Sequence, residues 1–216
     1  MYANDEIAQT LPFPQVLTQP YAGRCRRSHV AGAVLDPGRL DSFNALLGQL
    51  GRSHPLQADQ IATAARILAH ATAGANDAPP CIRHRLDLAG QLAPMVGDRA
   101  WAVDEAMLPP ALSVLAYLGD SADLIPDDLA CVGRLDDALV IDAAWPRLAA
   151  EVAGFVDFCR LRRLEAQWLG SPETAFRFDR NDWKAARLAE ATLNAHRDRV
   201  WLSSYVPAGG ARFQVH

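Results

Sequence analysis

Asp120, Asp123, Asp127, Asp128, Asp136 and Asp137 crowd into one stretch, YLGDSADLIPDDLACVGRLDD, whose other residues are mostly apolar or small. Carboxylates this close repel one another unless a cation, a set of donors or solvent holds them. Two kinds of chemistry fit. In the first, Asp123, Asp127, Asp136 and Asp137 converge on Mg²⁺ or Ca²⁺, which take oxygen ligands, and the ion holds a phosphorylated or lipid-like substrate. In the second, the acids are structural: they cap helix starts, accept backbone N–H bonds and pair with Arg134 or Arg147. The structural alternative is the stronger expectation, because no nucleophile or histidine base lies nearby in the sequence and catalytic sites combine several roles. The sequence assigns no catalytic residue.

Other clusters are weaker. Arg24, Arg26 and Arg27 form a basic knot that could bind an anion, although a solvated turn or pairing with acids of the body explains it more simply. Cys25 with His29 and Cys81 with His84 have permissible zinc spacings, but the pairs are far apart and ringed by arginine. No Gly-rich phosphate loop, serine elbow or His-Glu metalloprotease motif is present in the sequence. Cofactors and metals are therefore not expected outside the acidic corner, where Mg²⁺ or Ca²⁺ is the open alternative.

Local sequence predicts how the corner is built. Pro126 suits a first helical position, with Asp127 and Asp128 in the first turn and Gly133 as a left-handed stop. A second short helix is expected from Leu135, with Asp136 and Asp137 in its first turn, ending before Pro146. Asp123 suits an Asx-type turn ahead of the first. This pattern resembles the YkvA-like family, a short bacterial domain of unknown function. Tyr117, Leu118, Asp123, Leu124, Ile125, Pro126, Asp127, Gly133, Leu135, Asp136 and Asp137 fall on its signature in order and register. Asp120-Ser121 replaces the family's Ser-Pro, and Asp128 makes this copy more polar. The resemblance spans about residues 109–145. It implies no known reaction, and its frequent membrane association transfers poorly to apolar helices broken by Pro and Asp.

The elements around the corner read as helical. The fold class expected is mainly α, a single multi-helix domain with an extended N-terminal arm over 1–38, a helical body over 39–216 and a candidate short C-terminal β-hairpin. Four prolines (Pro12, Pro14, Pro20, Pro37) keep the arm extended, with HVAGAVL at best a short strand. From Arg39 the 3.6 period places Leu40, Phe43, Leu46, Leu47 and Leu50 on one stripe ending at Gly51. Helices are also expected from Pro55, from Pro80 through to Met95, over AWAVDEAML, over PPALSVLAYLG as the most buried element, from Pro146 to Gly170, and near Asp182–Arg199. VWLSSYV-PAGG-ARFQVH changes period and suits a hairpin.

Composition limits partners. With 50% apolar and 21% charged residues the chain is globular. A net charge of −4 argues against nucleic acid as a partner. Twenty arginines against one lysine, Lys184, suit codon usage in a GC-rich bacterial genome. The start is acidic and lacks an apolar leader core, no apolar run is long enough to span a bilayer, and the four cysteines lack framework spacing. A cytoplasmic location follows as the expectation. The function expected is a non-catalytic helical module for protein interaction or regulation, binding another protein or itself through the arm or tail, with peripheral membrane contact not favoured. The alternative is a divalent-cation-dependent enzyme acting at the acidic corner.

Overall fold

The computed structural model describes residues 11–20, 23, 26–71, 77–120, 123–173 and 175–203. The protein is mainly helical, with one two-stranded antiparallel sheet among the described residues. It divides into two compact units, residues 1–160 and 161–216.

In the first unit, a 3-10 turn at Gln15–Leu17 precedes a hairpin of β1 (His29–Val30) and β2 (Ala33–Val34). Ala31 and Gly32 both have positive φ, 47° and 96°, the backbone a tight two-residue hairpin turn requires. HVAGAVL, expected at best as one short strand, folds back on itself as this hairpin, and residues 1–10 of the arm lie outside the described residues. Phe13, Leu17, Val30 and Leu35 of the arm are buried.

Helix α1 (Pro37–Leu50) starts where Asp36 accepts the Arg39 N–H at 2.9 Å and stops at left-handed Gly51, φ 117°. Its buried stripe is Phe43, Leu47 and Leu50. Helix α2 (Ala58–Ala71) begins later than Pro55, and packs against the 3-10 turn and the hairpin. The expected long third helix is broken after Ala89 into α3 (Pro80–Ala89) and α4 (Leu92–Gly97). Residues 99–107 form turns rather than the expected helix, anchored by Trp101, whose ring meets Phe155 and Phe158.

Helix α5 (Leu108–Leu118) buries only Pro110, Ala111 and Val114 and leaves Leu112 exposed, so it is not the most buried element. That role falls to the start of α6 (Leu135–Trp168), where Leu135 to Ile141 are all buried. Pro146 lies inside α6 instead of ending it. The missing N–H costs one helical bond. Pro146 itself is exposed while Ala144, Trp145, Leu148 and Val152 on either side are buried, and that packing carries the helix through.

In the second unit, α6 ends at left-handed Gly170, the stop expected from sequence. Helix α7 (Arg180–Ser203) follows. Its inward stripe was expected at Ala186, Leu188, Ala189 and Leu193, yet Leu188, Ala189 and Leu193 are exposed. Val200–Ser203, expected to be extended, are helical; the rest of the C-terminal hairpin, from residue 204 on, lies outside the described residues.

Candidate functional site

The acidic corner joins the end of α5, the connection 119–134 and the start of α6. Leu135 begins the second helix as expected, but 126–134 form turns and not a first short helix. Gly133 is not the left-handed residue; Cys131 is, with φ 65°. A Cβ on Gly133 would lie 2.5 Å from the Asp127 carbonyl oxygen and 2.8 Å from that of Pro126. Glycine is required there because one backbone segment lies directly on another.

Asp136 is fully buried and knits three elements. Its Oδ2 accepts from the Tyr117 hydroxyl of α5 at 2.8 Å and from the Ile125 N–H of the connection at 2.9 Å. Its Oδ1 is buried with no hydrogen-bond partner among the described residues. Burial pushes its carboxyl up to about 6, opposed by the Ile125 N–H and the Tyr117 hydroxyl and helped by Asp123. The Tyr117 phenol is raised as well, by burial and then by the Asp136 charge.

Asp137 is buried and paired with Arg134. Arg134 also holds exposed Asp127, at 3.3 Å, and so clamps the connection to the first turn of α6. Burial raises Asp137 to about 7, against the pull of Arg134, with Asp136 and Asp127 adding to the rise. Asp123 is raised by burial and by Asp127 and Asp120, opposed by Arg134. Its backbone carbonyl, rather than its carboxylate, is anchored by Arg39 Nη1 at 2.9 Å. The four acids are therefore neighbours with separate jobs. Among the described residues, no three His, Cys, Asp or Glu side chains are grouped so as to hold a metal ion.

Two open clefts flank the corner. One of about 520 Å³ is lined by Arg39, Ser42, Phe43, Tyr117, Asp120 and Leu124. The other, about 460 Å³, is lined by Arg39, Asp120, Asp123, Asp127 and Asp128 among others. The arm's basic knot behaves as the body-pairing alternative: Arg27 lies 3.8 Å from Asp59 and donates to Thr63 at 3.2 Å, while the Arg26 N–H donates to Asp59 at 3.3 Å. Arg24 and Cys25 lie outside the described residues. Cys81 is buried and free, with its thiol pushed up by burial.

A polar node that sequence reading missed sits at Arg85. This arginine is only 2% exposed, and its Nε and Nη2 reach Asp142 Oδ1 at 2.9 and 2.6 Å. Nη1 donates to the carbonyls of Leu11 and Cys81 at 2.7 and 2.9 Å, and the guanidinium lies 3.7 Å over the Phe13 ring. It thus ties the arm to α3 and α6. The signal was present: Arg85 stands three residues after Ile82 and four before Ala89, on the inward stripe of its helix. Gln60 does similar work in α2, accepting the Gln57 N–H and donating to the Val16 and Gln19 carbonyls, each at 2.9 Å.

No family model, curated protein or solved structure matches the chain. No helix among the described residues is long and apolar enough to cross a membrane.

Proposed function

We propose that the protein is a non-catalytic helical module whose work is to bind another protein chain, and that the binding surface lies in the second unit. The observation that carries this reading is where apolar surface is left uncovered. Among the described residues, eight of the twelve exposed large apolar side chains belong to 161–203. They include Trp168 and Trp201, 86% and 80% exposed. Large apolar side chains gathered in the open mark interaction surfaces, and tryptophan is enriched where interfaces carry most of their energy. Composition supports the rest: a net charge of −4 disfavours nucleic acid, and a cytoplasmic setting suits the scattered thiols. The YkvA-like resemblance at 109–145 is kept as part of this proposal and names no reaction.

The test is photo-cross-linking in cells. A photoreactive residue at Trp201 or Leu188 should give light-dependent adducts with protein, and one at exposed Asp41 on α1 should not. No adduct from either α7 position, in a chain that also stays monomeric, overturns the reading.

A cation-dependent enzyme at the acidic corner is the second reading. The buried, donor-free Oδ1 of Asp136 favours it, and the separate use of the four acids weighs against it. Thermal unfolding with chelator or millimolar Mg²⁺ or Ca²⁺ separates the two, because an ion that binds only the native state raises its midpoint. The expected result is no shift, with Asp136→Ala costing about 1–3 kcal/mol in either medium through its orphaned Ile125 N–H. An upward shift abolished in Asp136→Ala would favour the enzyme.

A further inference from the structure

The partner of α7 can be read from its register. From Ala189 to Leu202 no residue of the helix is buried. A helix in that position gains little from packing, and isolated helices of this length are marginal in water. Its apolar residues are nevertheless ordered. Ala186, Leu193 and Val200 recur every seven residues, and Ala189 and His196 stand three residues after the first two. These are the a and d positions of a seven-residue repeat. Leu193 and Val200 are 69% and 53% exposed, so the seam is open. Glu190 and Arg197, four residues after successive a positions, flank it on one side.

We infer that this seam pairs antiparallel with the same seam of a second copy of the chain, making a homodimer. The inference rests on the interaction reading above and names the partner. Orientation follows from charge. Set antiparallel, with Leu193 opposite the second copy's d-position His and Val200 opposite its Ala, the helices bring Glu190 of each beside Arg197 of the other. The two-fold axis repeats the pair, which is the self-complementarity a closed dimer needs. Set parallel, Glu190 would face Ala185 and Arg197 would face Thr192, and neither charge would be answered. Glu190 Oε2 is held by Arg187 of its own helix, which leaves Oε1 to face the second copy. A short seam containing alanine and histidine gives a weak dimer.

Sedimentation velocity of the full chain from low to high micromolar concentration tests this. The wild-type chain should pass from monomer to dimer. Glu190→Arg and Arg197→Glu, each alone, should weaken dimerisation at least tenfold. An equimolar mixture of the two variants should dimerise again, since the mixed antiparallel pair restores both contacts. Circular dichroism checks that each variant keeps its helix content; if a reversal loses it, Leu193→Gln, which leaves the charges in place, should weaken the dimer instead. A wild-type chain that stays monomeric, single reversals without effect, or a mixture that remains monomeric would overturn the homodimer. A monomeric chain whose position 201 still cross-links to a different protein overturns only the homodimer. Absence of both association and adducts overturns the interaction reading too.

Discussion

The acidic corner and helix α7 invert each other's economy of polar and apolar groups. At the corner, charged side chains are taken out of water and used to join elements: Asp136 bonds α5 and the connection, and Arg134 spans Asp127 and Asp137. On α7, Leu188, Leu193, Trp201 and Leu202 remain in solvent. A buried carboxylate is costly unless the fold needs it, and an exposed tryptophan wastes its burial energy unless something covers it. Apart from the partnerless Oδ1 of Asp136, the corner's acids are held from within the chain, whereas the exposed apolar side chains of α7 are not, and function is better sought there.

The largest test of the internal explanation lies at Arg85. Replacing it by Ala leaves Asp142 without its guanidinium and the Leu11 carbonyl without the Arg85 donor, and frees the arm from α3. Asp142 keeps some solvent, 29% of its side chain being exposed, so the cost should approach but not exceed the ~3–5 kcal/mol of breaking a fully buried pair from one side. Urea unfolding should show that loss, and limited proteolysis should cut the arm sooner. A variant of wild-type stability would mean the arm is held by its apolar residues alone.

Gly133→Ala comes next. Its new methyl group would sit 2.5 Å from the Asp127 carbonyl, so backbone must move against backbone. The expected cost is about 2–3 kcal/mol, in the range of other overpacked sites. If glycine were needed there only as a left-handed helix stop, Asn would be tolerated; in this geometry Asn should destabilise at least as much as Ala. Chemical denaturation of both variants decides between them.

These two sites also show what could be read in the sequence. Three helix boundaries set by neighbours were legible: Gly51 closes α1, Leu135 opens α6 and Gly170 closes it, whereas Pro37, read as part of the extended arm, opens α1 behind its Asp36 cap. Each depends on a few adjacent residues. The connection 126–134 was not legible, because Pro-Asp-Asp looks locally like a helix start while its path is set by the contact of Gly133 with Asp127. Pro146 looked like a boundary for the same reason, since the packing that carries α6 through it comes from distant residues. Asp123, Asp127, Asp136 and Asp137 were found from their crowding, but their separate partners were not. On α7 the 3.6 period located an apolar stripe, yet a period cannot say whether anything covers it.

Protonation at the corner gives a smaller, directional effect. Asp136 and Asp137 titrate near 6 and 7 in the folded protein, above the unfolded value of about 3.9. Groups raised in this way bind protons better folded than unfolded. Their stabilisation is complete below the unfolded value and is lost as pH rises through 6 and then 7. Stability should therefore fall between pH 5 and pH 8. Asp136→Asn and Asp137→Asn should each flatten the profile of urea midpoints. Stability that rises over that interval would show instead that the donors around Asp136 outweigh its burial.

The smallest expected effect is on α7, and its smallness is what sets the helix apart. Leu188 and Trp201 are 70% and 80% exposed, so replacing each by Ser removes little apolar area from the folded interior. Surface substitutions of this kind usually change stability by less than about 0.5 kcal/mol. Neither residue lies on the seam of Ala186, Leu193 and Val200, so the result should hold at low and high protein concentration alike. The same Ser substitution at buried Leu139 in α6 should cost several times as much, because it empties a packed site and strands a hydroxyl there. Thermal and urea unfolding of Leu188→Ser, Trp201→Ser and Leu139→Ser at one low concentration make the comparison. If the α7 variants lose as much as Leu139→Ser, those side chains are covered within the folded chain itself. The contrast between the two regions would then fail, and with it the case for a partner at this helix.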